Sequence, residues 1–294
     1  MKHIDVVWTT IKLSLCGAVL AGACGTSQAG SIFLTGHDPD FHSYVSGSNL
    51  IGARHINNVA INYVMDPGFN AFVATAPKFL FVESSMSPPG GHTNGVNGIV
   101  ASGYTLGTNF DFADASTLGL ALDNLGVAGG YSAIVIASDF GGVLSQNELT
   151  ILDSRSADII KFLNAGGGLY AMAESADPYG LTTSGQFGFL PFIVSSTALN
   201  QPETGNTLTP FGLSLGLLDT DINGNASHNI FTGTGGMSVV DNDPAGNILS
   251  LATRSQITSG GVVGSVPEPA SAALLFIGMG GLALSRRRQR RSNS

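Results

Sequence analysis

Two histidines and two aspartates follow a short apolar segment that we expect to form the first strand of the folded body. The segment spans residues 31–34, and the next eight residues contain His37, Asp38, Asp40 and His42. Side chains that follow a strand of a parallel sheet lie at its carboxyl edge, where α/β proteins bind ligands. Imidazole and carboxylate groups also bind transition metals. The pattern predicts either a metal site or a hydrogen-bonded loop, because Asp-Pro forms a turn by itself.

A second candidate site combines residues that are far apart in the chain. Ser175 could act as a nucleophile if His228 accepted its proton, because a serine needs an adjacent base. Asp139 or Glu174 would then orient the imidazole. A broader hydrolase hypothesis, with or without a metal, uses His37, Asp38, Glu174 and His228. The alternative is that Ser175 and Glu174 only form loop hydrogen bonds at the end of a strand.

A third candidate is a possible calcium loop. Asp219, Asp221 and Asn223 place oxygen atoms on alternate positions, and a glycine stands at the sixth position, as in the opening of a calcium-binding loop. The twelfth position is Ile230, where such a loop needs a bidentate glutamate. The interpretation that we prefer is a turn rich in Asp and Asn, with calcium as the alternative.

Residues 130–175 show how such side chains would be positioned. Residues 131–137 are rich in Ile, Val and Ala, which is typical of a strand buried on both faces. Ser145 and Glu148 have the spacing of a capping box, and apolar residues at helical spacing follow them. Glycines end this helix, and residues 169–173 begin another buried strand. The order strand, helix, strand predicts a parallel sheet.

The other segments give a less regular pattern of short elements. We expect strands at residues 31–34, 78–83, 104–110, 189–194, 237–240 and 248–253. We expect helices at residues 47–66, 95–102, 118–125 and 209–217. In the helix at 47–66, Ile51, Val59 and Val64 are predicted to point inward. In the last helix, Thr209 is the predicted cap and Pro210 the first residue.

The body resembles the class I glutamine amidotransferase-like fold, a flavodoxin-type arrangement. The resemblance covers residues 31–254 loosely and depends on the sequences GHDPDFH, DFGG and NAGGGLYAMAES. It implies a three-layer α/β sandwich with a mainly parallel central sheet. Enzymes of that family carry a cysteine after the strand that here spans residues 168–173, where this chain reads AMAES. Their late histidine has a glutamate two residues on, whereas His228 is followed by Ile230. The resemblance therefore implies the fold without amidotransferase activity.

The first thirty residues have the pattern of a secretory signal. An apolar run at residues 13–23 follows lysines, and Ser27 and Ala29 place small residues where signal peptidase requires them. We expect the general secretion machinery to export the chain and signal peptidase to cut after Ala29, which would remove both cysteines. A lipoprotein signal is the alternative, because residues 21–24 end in Cys24.

The last thirty residues contain the most specific pattern. Pro-Glu-Pro at residues 267–269 precedes an apolar segment at 270–284 and five arginines, which should stay in the cytoplasm. These three parts resemble the PEP-CTERM sorting signal of exopolysaccharide-producing Gram-negative bacteria. In that family an exosortase, a membrane transpeptidase, recognises the motif, which implies cleavage there. The matching residues are Pro267, Glu268, Pro269, Arg286, Arg287 and Arg288. An ordinary single-pass tail anchor is the alternative.

These assignments divide the chain into a signal peptide (1–29), an α/β domain (30–258), a linker (259–265) and a sorting signal (266–294). Residues 30–265 hold five Lys and Arg against 18 Asp and Glu, a net charge of −13. Such a surface repels phosphate backbones and argues against nucleic-acid binding. Two functions stay open: a non-catalytic role in which the acidic body binds extracellular polysaccharide or cations, and the hydrolase hypothesis. We expect the protein at the cell surface or outside the cell.

Overall fold

The computed structural model describes residues 29–84, 94–139, 143–175, 185–190, 194, 196–202, 204–258 and 261–263. The described residues belong to one compact unit, Gln28–Ser265. The predicted signal peptide, apart from Ala29, and the predicted sorting signal lie outside the described residues. The domain boundaries therefore stay predictions.

The described residues form twelve strands and seven helices. The strands are β1 (Ser31–Thr35), β2 (Lys78–Val82), β3 (Phe110–Ala113), β4 (Tyr131–Ile136), β5 (Gly168–Ala171), β6 (Ser196–Pro202), β7 (Thr207–Leu208), β8 (Ala226–Phe231), β9 (Ser238–Asn242), β10 (Ile248–Thr253), β11 (Gln256–Thr258) and β12 (Gly261–Val263). The helices are α1 (Pro39–His42), α2 (Leu50–Val64), α3 (Gly95–Ala101), α4 (Leu118–Leu122), α5 (Gln146–Ser154), α6 (Ser156–Asn164) and α7 (Pro210–Ser214).

One sheet contains ten of these strands. Its order is β3-β2-β4-β5-β1-β10-β8-β6, with β9 paired to β10 and β7 paired to β9. The neighbours from β3 to β1 are parallel, as the central strand-helix-strand pattern predicts. The other five strands are antiparallel and extend the sheet beyond β1. The prediction of a mainly parallel sheet therefore holds for five of the ten strands. Three of the antiparallel strands, β6, β7 and β8, were not predicted because their short polar sequences lack the apolar pattern of a strand.

The parallel strands have an order that differs from the expected one. A flavodoxin-type sheet has the order 2-1-3-4-5, whereas the parallel strands here, numbered along the chain, have the order 3-2-4-5-1. If β2, β3, β4, β5 and β1 are numbered 1 to 5 in that sequence, the observed order becomes 2-1-3-4-5 and the two orders agree. The strand that ends in GHDPDFH thus takes the last place of that arrangement and not the first place that the resemblance implies.

The helices form two groups. Helix α2 packs on β1 and β5 and contacts α1 and α3, while α4 contacts α5 and α5 contacts α6. Because crossovers between parallel strands are almost always right-handed, the strand order predicts α2 and α3 on one face of the parallel strands and α4, α5 and α6 on the other. The core between these layers includes Phe33, whose ring packs edge-to-face on Tyr63 of α2 and on Tyr170 of β5. The arrangement is a mixed α/β fold with helices on both sides of a large sheet.

The predicted helix starts are confirmed where a capping residue marks them. Ser145 and Glu148 form the predicted capping box, with Asn147 N donating to Ser145 Oγ at 3.3 Å. The helix that follows is interrupted at Arg155 and continues as α6. Thr209 caps α7, which begins at Pro210 as predicted.

Several predicted elements differ from the structure. Ile51 was predicted to point inward but is 81% exposed, because Gly52 and Ala53 of the same turn form the buried side of the helix there. The predicted strand at 104–110 is mostly a turn closed by Asn109 N donating to Thr105 O, and β3 begins at Phe110. Residues 261–263, inside the segment predicted as a linker, form β12 and pair with β11; this pairing does not test the predicted boundary. The predicted strand at 189–194 begins in a turn, and residues 191–193 lie outside the described residues.

Candidate functional site

A layer of buried polar side chains lies along the carboxyl edge of the parallel strands. Strands β1, β2, β4 and β5 end at this edge, and polar residues follow each of them. The buried residues of this layer are Asp38, Asp40, Glu83, Ser138, Asp139, Glu174 and Ser175. Burial of so many polar groups requires specific partners, since an uncompensated buried charge is costly. These partners decide which of the predicted sites exists.

Asp38, His42 and His228 form a compact cluster. Oδ1 of Asp38 lies 3.1 Å from Nε2 of His42, and Oδ2 lies 3.2 Å from Nε2 of His228. One ligand atom from each of the three residues lies within 4.8 Å of the other two. Asp38 is fully buried, yet neither of its oxygens accepts a hydrogen bond of ordinary geometry from the residues that the structure describes. The three residue types are ligands that transition metals accept.

The close approach of β8 to the end of β1 brings His228 to this cluster. The amide of His228 donates to Gly36 O at 2.8 Å, and His37 forms an antiparallel bridge with Ser227. A Cβ atom on Gly36 would lie 1.9 Å from the carbonyl oxygen of Asn229. Only glycine therefore permits this contact. Asp38 precedes α1 and His42 is the last residue of α1, so one turn of helix holds their side chains together.

The cluster keeps Asp38 in its charged form. Burial acts to raise the pKa of Asp38, but the nearby charges of His228 and His42 outweigh it and lower the pKa to about 2. The carboxylate is therefore ionised at neutral pH. An ionised carboxylate between two imidazole nitrogens can accept protons or bind a cation.

His37 does not join this cluster through its ring nitrogens. Its Nε2 lies 2.7 Å from Oδ2 of Asp241, and its Nδ1 lies 3.3 Å from Oγ of Ser227. His37, Asp241 and Ser227 are all buried. The pairing links the end of β1 to β9 in the antiparallel part of the sheet. His37 lines the same small cleft as Asp38 and His42.

Ser175 is held by Asp139 and not by a histidine that the structure describes. Oγ of Ser175 donates to the two carboxylate oxygens of Asp139 at 3.0 and 3.1 Å, while His228 pairs with Asp38. The described contacts therefore do not link Ser175 to His228 in a proton relay. They match the alternative of hydrogen bonds within the loops.

Glu174 has a separate environment. Its carboxylate accepts a hydrogen bond from the amide of Phe187, and its own amide donates to Oδ1 of Asn229 at 3.0 Å. Burial raises the pKa of Glu174 well above its usual range, by more than the hydrogen bond from Phe187 lowers it. The carboxyl group of Glu174 thus contacts the amide of Phe187, which is a different partner from those of the Asp38 cluster.

Two further buried carboxyl groups lie at this edge: Asp40, which belongs to the predicted GHDPDFH cluster, and Glu83, which was not predicted as a site residue. Asp40 accepts hydrogen bonds from Ser138, and Glu83 accepts from the amides of Gly95 and Val96 at 2.8 and 3.0 Å. Burial, followed by the charge of Asp38, raises the pKa of Asp40 to about 6. Burial is also the main cause that raises the pKa of Glu83 to about 8. A carboxylate directly after an apolar strand, as in KFLFVE, was the available signal for Glu83.

The side chains of the possible calcium loop form hydrogen bonds to nearby protein groups. Asp219 accepts from Leu208 N at 2.9 Å, and Asp221 accepts from Leu218 N at 2.7 Å and lies 2.7 Å from Nδ1 of His55. The side chain of Asn223 bridges to neighbouring main-chain groups, including Asp219 O. These contacts agree with the preferred interpretation of a turn.

The two ends of the chain carry the other functional signals. Residues 265–291 match the family described as a PEP-CTERM protein-sorting motif. The match includes Pro267, Glu268, Pro269 and the five arginines, all outside the described residues. It indicates export and a C-terminal membrane-anchoring sorting signal, and it implies processing by an exosortase. The chain matches no curated protein and no solved structure.

The described residues contain no helix that is both long and apolar enough to span a bilayer. The predicted membrane segment at residues 270–284 lies outside them.

Proposed function

We propose that the chain is exported, cut by an exosortase near Pro267, Glu268 and Pro269, and then acts at the cell surface or in the extracellular matrix. The PEP-CTERM match at residues 265–291 is the observation that carries this proposal. The secretory pattern of the first thirty residues is consistent with it. Whether the body is released or stays attached depends on the product of the cleavage.

The body is proposed to have a non-catalytic binding role. Its net charge of −13 favours cations and suits partners without phosphate groups, and extracellular polysaccharide is the macromolecular partner that we propose. The residues of the hydrolase hypothesis support this choice, because they divide among separate pairs. His37 lies against Asp241, and Glu174 accepts from Phe187.

Hydrolysis is the second candidate function. The contact of 3.2 Å between Asp38 and His228, with His42 beside them, favours it. A hydrolase of this kind would use these three residues with a metal, without Ser175 as nucleophile. Assay of the purified chain with ester and glycoside substrates, with and without a chelator, separates the two functions. Chelator-sensitive turnover would favour hydrolysis, and its absence favours the binding role.

We also propose that the fold is of the amidotransferase-like, flavodoxin type. The order of the parallel strands supports it when β1 is counted last. The lack of a cysteine after β5 would then make this body a relative of that type without the amidotransferase nucleophile.

The sorting proposal is tested by expressing the chain in cells with and without an exosortase. We expect a shorter extracellular product only in cells that contain the enzyme. The substitution Glu268→Gln should prevent this processing, because it changes the Pro-Glu-Pro motif. Gln289→Ala, which lies among the arginines but outside that motif, serves as the matched control. Equal processing of both variants would refute the assignment of residues 267–269 as the recognition site.

A further inference from the structure

We propose that Asp38, His42 and His228 bind one divalent transition-metal ion of the zinc class. The proposal concerns a site inside the body and does not depend on the sorting of the chain. The first observation is that two imidazole nitrogens lie close to one carboxylate. Nε2 of His42 is 3.1 Å from Oδ1 of Asp38, and Nε2 of His228 is 3.2 Å from Oδ2.

These distances fit a tetrahedral ion. Zinc binds imidazole nitrogen and carboxylate oxygen at about 2.0–2.1 Å, so neighbouring ligand atoms of a tetrahedron lie about 3.3 Å apart. The separations of 3.1 and 3.2 Å are near this value but involve different oxygens of Asp38, and one ligand atom from each of the three residues lies within 4.8 Å of the other two. A bound ion would therefore draw the three side chains slightly closer together. Three protein ligands leave one coordination position for water or a small ligand.

The burial of Asp38 is a second, independent observation. Its side chain is fully buried, and the described residues donate no hydrogen bond of ordinary geometry to either oxygen. Buried charges are normally paired and hydrogen-bonded or coordinate a metal. A cation between the three residues would take the place of the two histidine contacts as the partner of this buried carboxylate.

Ser48 provides an outer contact typical of a metal-binding histidine. Its Oγ lies 2.8 Å from Nδ1 of His42. A proton on Nδ1 that is donated to Ser48 leaves the lone pair of Nε2 directed at Asp38 and available to a metal. Such outer contacts fix the tautomer of histidine ligands and increase metal affinity about 10- to 100-fold.

The donor set excludes calcium and magnesium as the preferred ions. Calcium takes six to eight oxygen ligands, and magnesium also prefers oxygen, whereas two of the three donors here are imidazole nitrogens. Imidazole suits zinc, copper, iron and nickel. The bound ion would connect α1 to β8, so it would join the end of the parallel strands to the antiparallel extension. This is a cross-link in a body that has no cysteine between residues 30 and 265.

The test measures metal binding by the full chain, purified in detergent and stripped with a chelator. Calorimetric titration with Zn²⁺ and the visible absorption of added Co²⁺ give stoichiometry, affinity and donor type. We expect one Zn²⁺ per chain, a Co²⁺ spectrum of nitrogen and oxygen donors, and no displacement by Ca²⁺. His42→Ala should weaken binding at least 100-fold, and Ser48→Ala about tenfold.

His55→Ala is the matched control. His55 also pairs with an aspartate, Asp221, but lies outside the cluster, so its substitution should leave affinity unchanged. Far-UV circular dichroism verifies that each variant folds, and Ser48→Ala keeps the test valid if His42→Ala does not fold. The proposal is overturned if the wild-type chain shows no saturable 1:1 binding of Zn²⁺ or Co²⁺. It is also overturned if folded Ser48→Ala and His55→Ala bind with equal affinity.

Discussion

Nε2 of His228, on β8, lies 3.2 Å from Oδ2 of Asp38, which follows β1. The two residues belong to different parts of the sheet, since β1 is parallel to β5 and β8 belongs to the antiparallel extension. Their contact exists only when the extension has packed against the parallel strands. The candidate site is therefore also a contact that holds the two parts of the sheet together.

Removal of His228 should destabilise the domain. His228→Ala leaves the buried carboxylate of Asp38 with only His42 beside it, and breaking a buried pair costs about 3–5 kcal/mol. We expect a loss of about 3 kcal/mol in the free energy of unfolding, measured by urea denaturation. His55→Ala, whose side chain is 39% exposed, should cost less than about 1 kcal/mol. Equal losses in the two variants would contradict the importance of the buried pair.

The stability of the domain should fall as the pH rises from about 4.5 to about 8. The pKa of Glu83 is raised to about 8 in the folded state, so the folded chain keeps a proton that the unfolded chain releases in this range. The free energy of unfolding therefore decreases with pH, and Asp40 adds to the decrease below its pKa of about 6. Each unit of pKa corresponds to about 1.4 kcal/mol, so the shift of Glu83 corresponds to about 5 kcal/mol and that of Asp40 to about 3 kcal/mol.

Glu83→Gln should reduce this dependence on pH. The amide oxygen can still accept from Gly95 or Val96, but the side chain no longer ionises. Urea denaturation at several pH values measures the slope. Asp158→Asn, an exposed change beside Arg155, should leave the slope as in the wild type. An unchanged slope in Glu83→Gln would show that another group causes it.

Two glycines in helices should respond to alanine in opposite ways. A Cβ atom on Gly98 of α3 would lie 1.6 Å from the carbonyl oxygen of Asp40, so Gly98→Ala must separate α3 from α1. Nothing lies within 4 Å of a Cβ atom on Gly119 of α4. We expect Gly98→Ala to lower the melting temperature strongly, and Gly119→Ala to stabilise the fold by about 0.5–1 kcal/mol. Stabilisation by both changes would contradict the close packing of α1 on α3.

Loss of the capping box of α5 should lower the free energy of unfolding by less than loss of His228. Ser145→Ala removes the acceptor for Asn147 N and one partner of Glu148. The expected loss is about 1 kcal/mol in the free energy of unfolding by urea. Thr150→Ala, in the middle of the same helix, removes a hydroxyl without removing a cap and should change stability less. A larger loss in Thr150→Ala than in Ser145→Ala would contradict the role of the cap.

The sequence predicted the parallel part of the fold because its signals are local. The apolar run of β4, the capping box at Ser145 and the glycines before β5 each specify an element within a few residues. The antiparallel extension lacked such signals. Strand β8 reads ASHNIF and carries His228, Ser227 and Asn229, which gave no apolar alternation.

The candidate site was only partly predictable for the same reason. Asp38 and His228 were both candidates, but their meeting depends on the pairing of β8 beyond β10, which no spacing in the chain encodes. His37, next to Asp38, was an equally good candidate, but its ring nitrogens contact Asp241 and Ser227. His42 was visible in the sequence GHDPDFH and joins the site because α1 makes one turn after Asp38.

The intact mass of the chain recovered outside the cell tests the central claim most directly. We expect a product that begins at Gly30 and ends near Pro267, Glu268 and Pro269, because signal peptidase and an exosortase remove the two ends. An extracellular or surface product that still contains residues 270–294 would contradict exosortase processing.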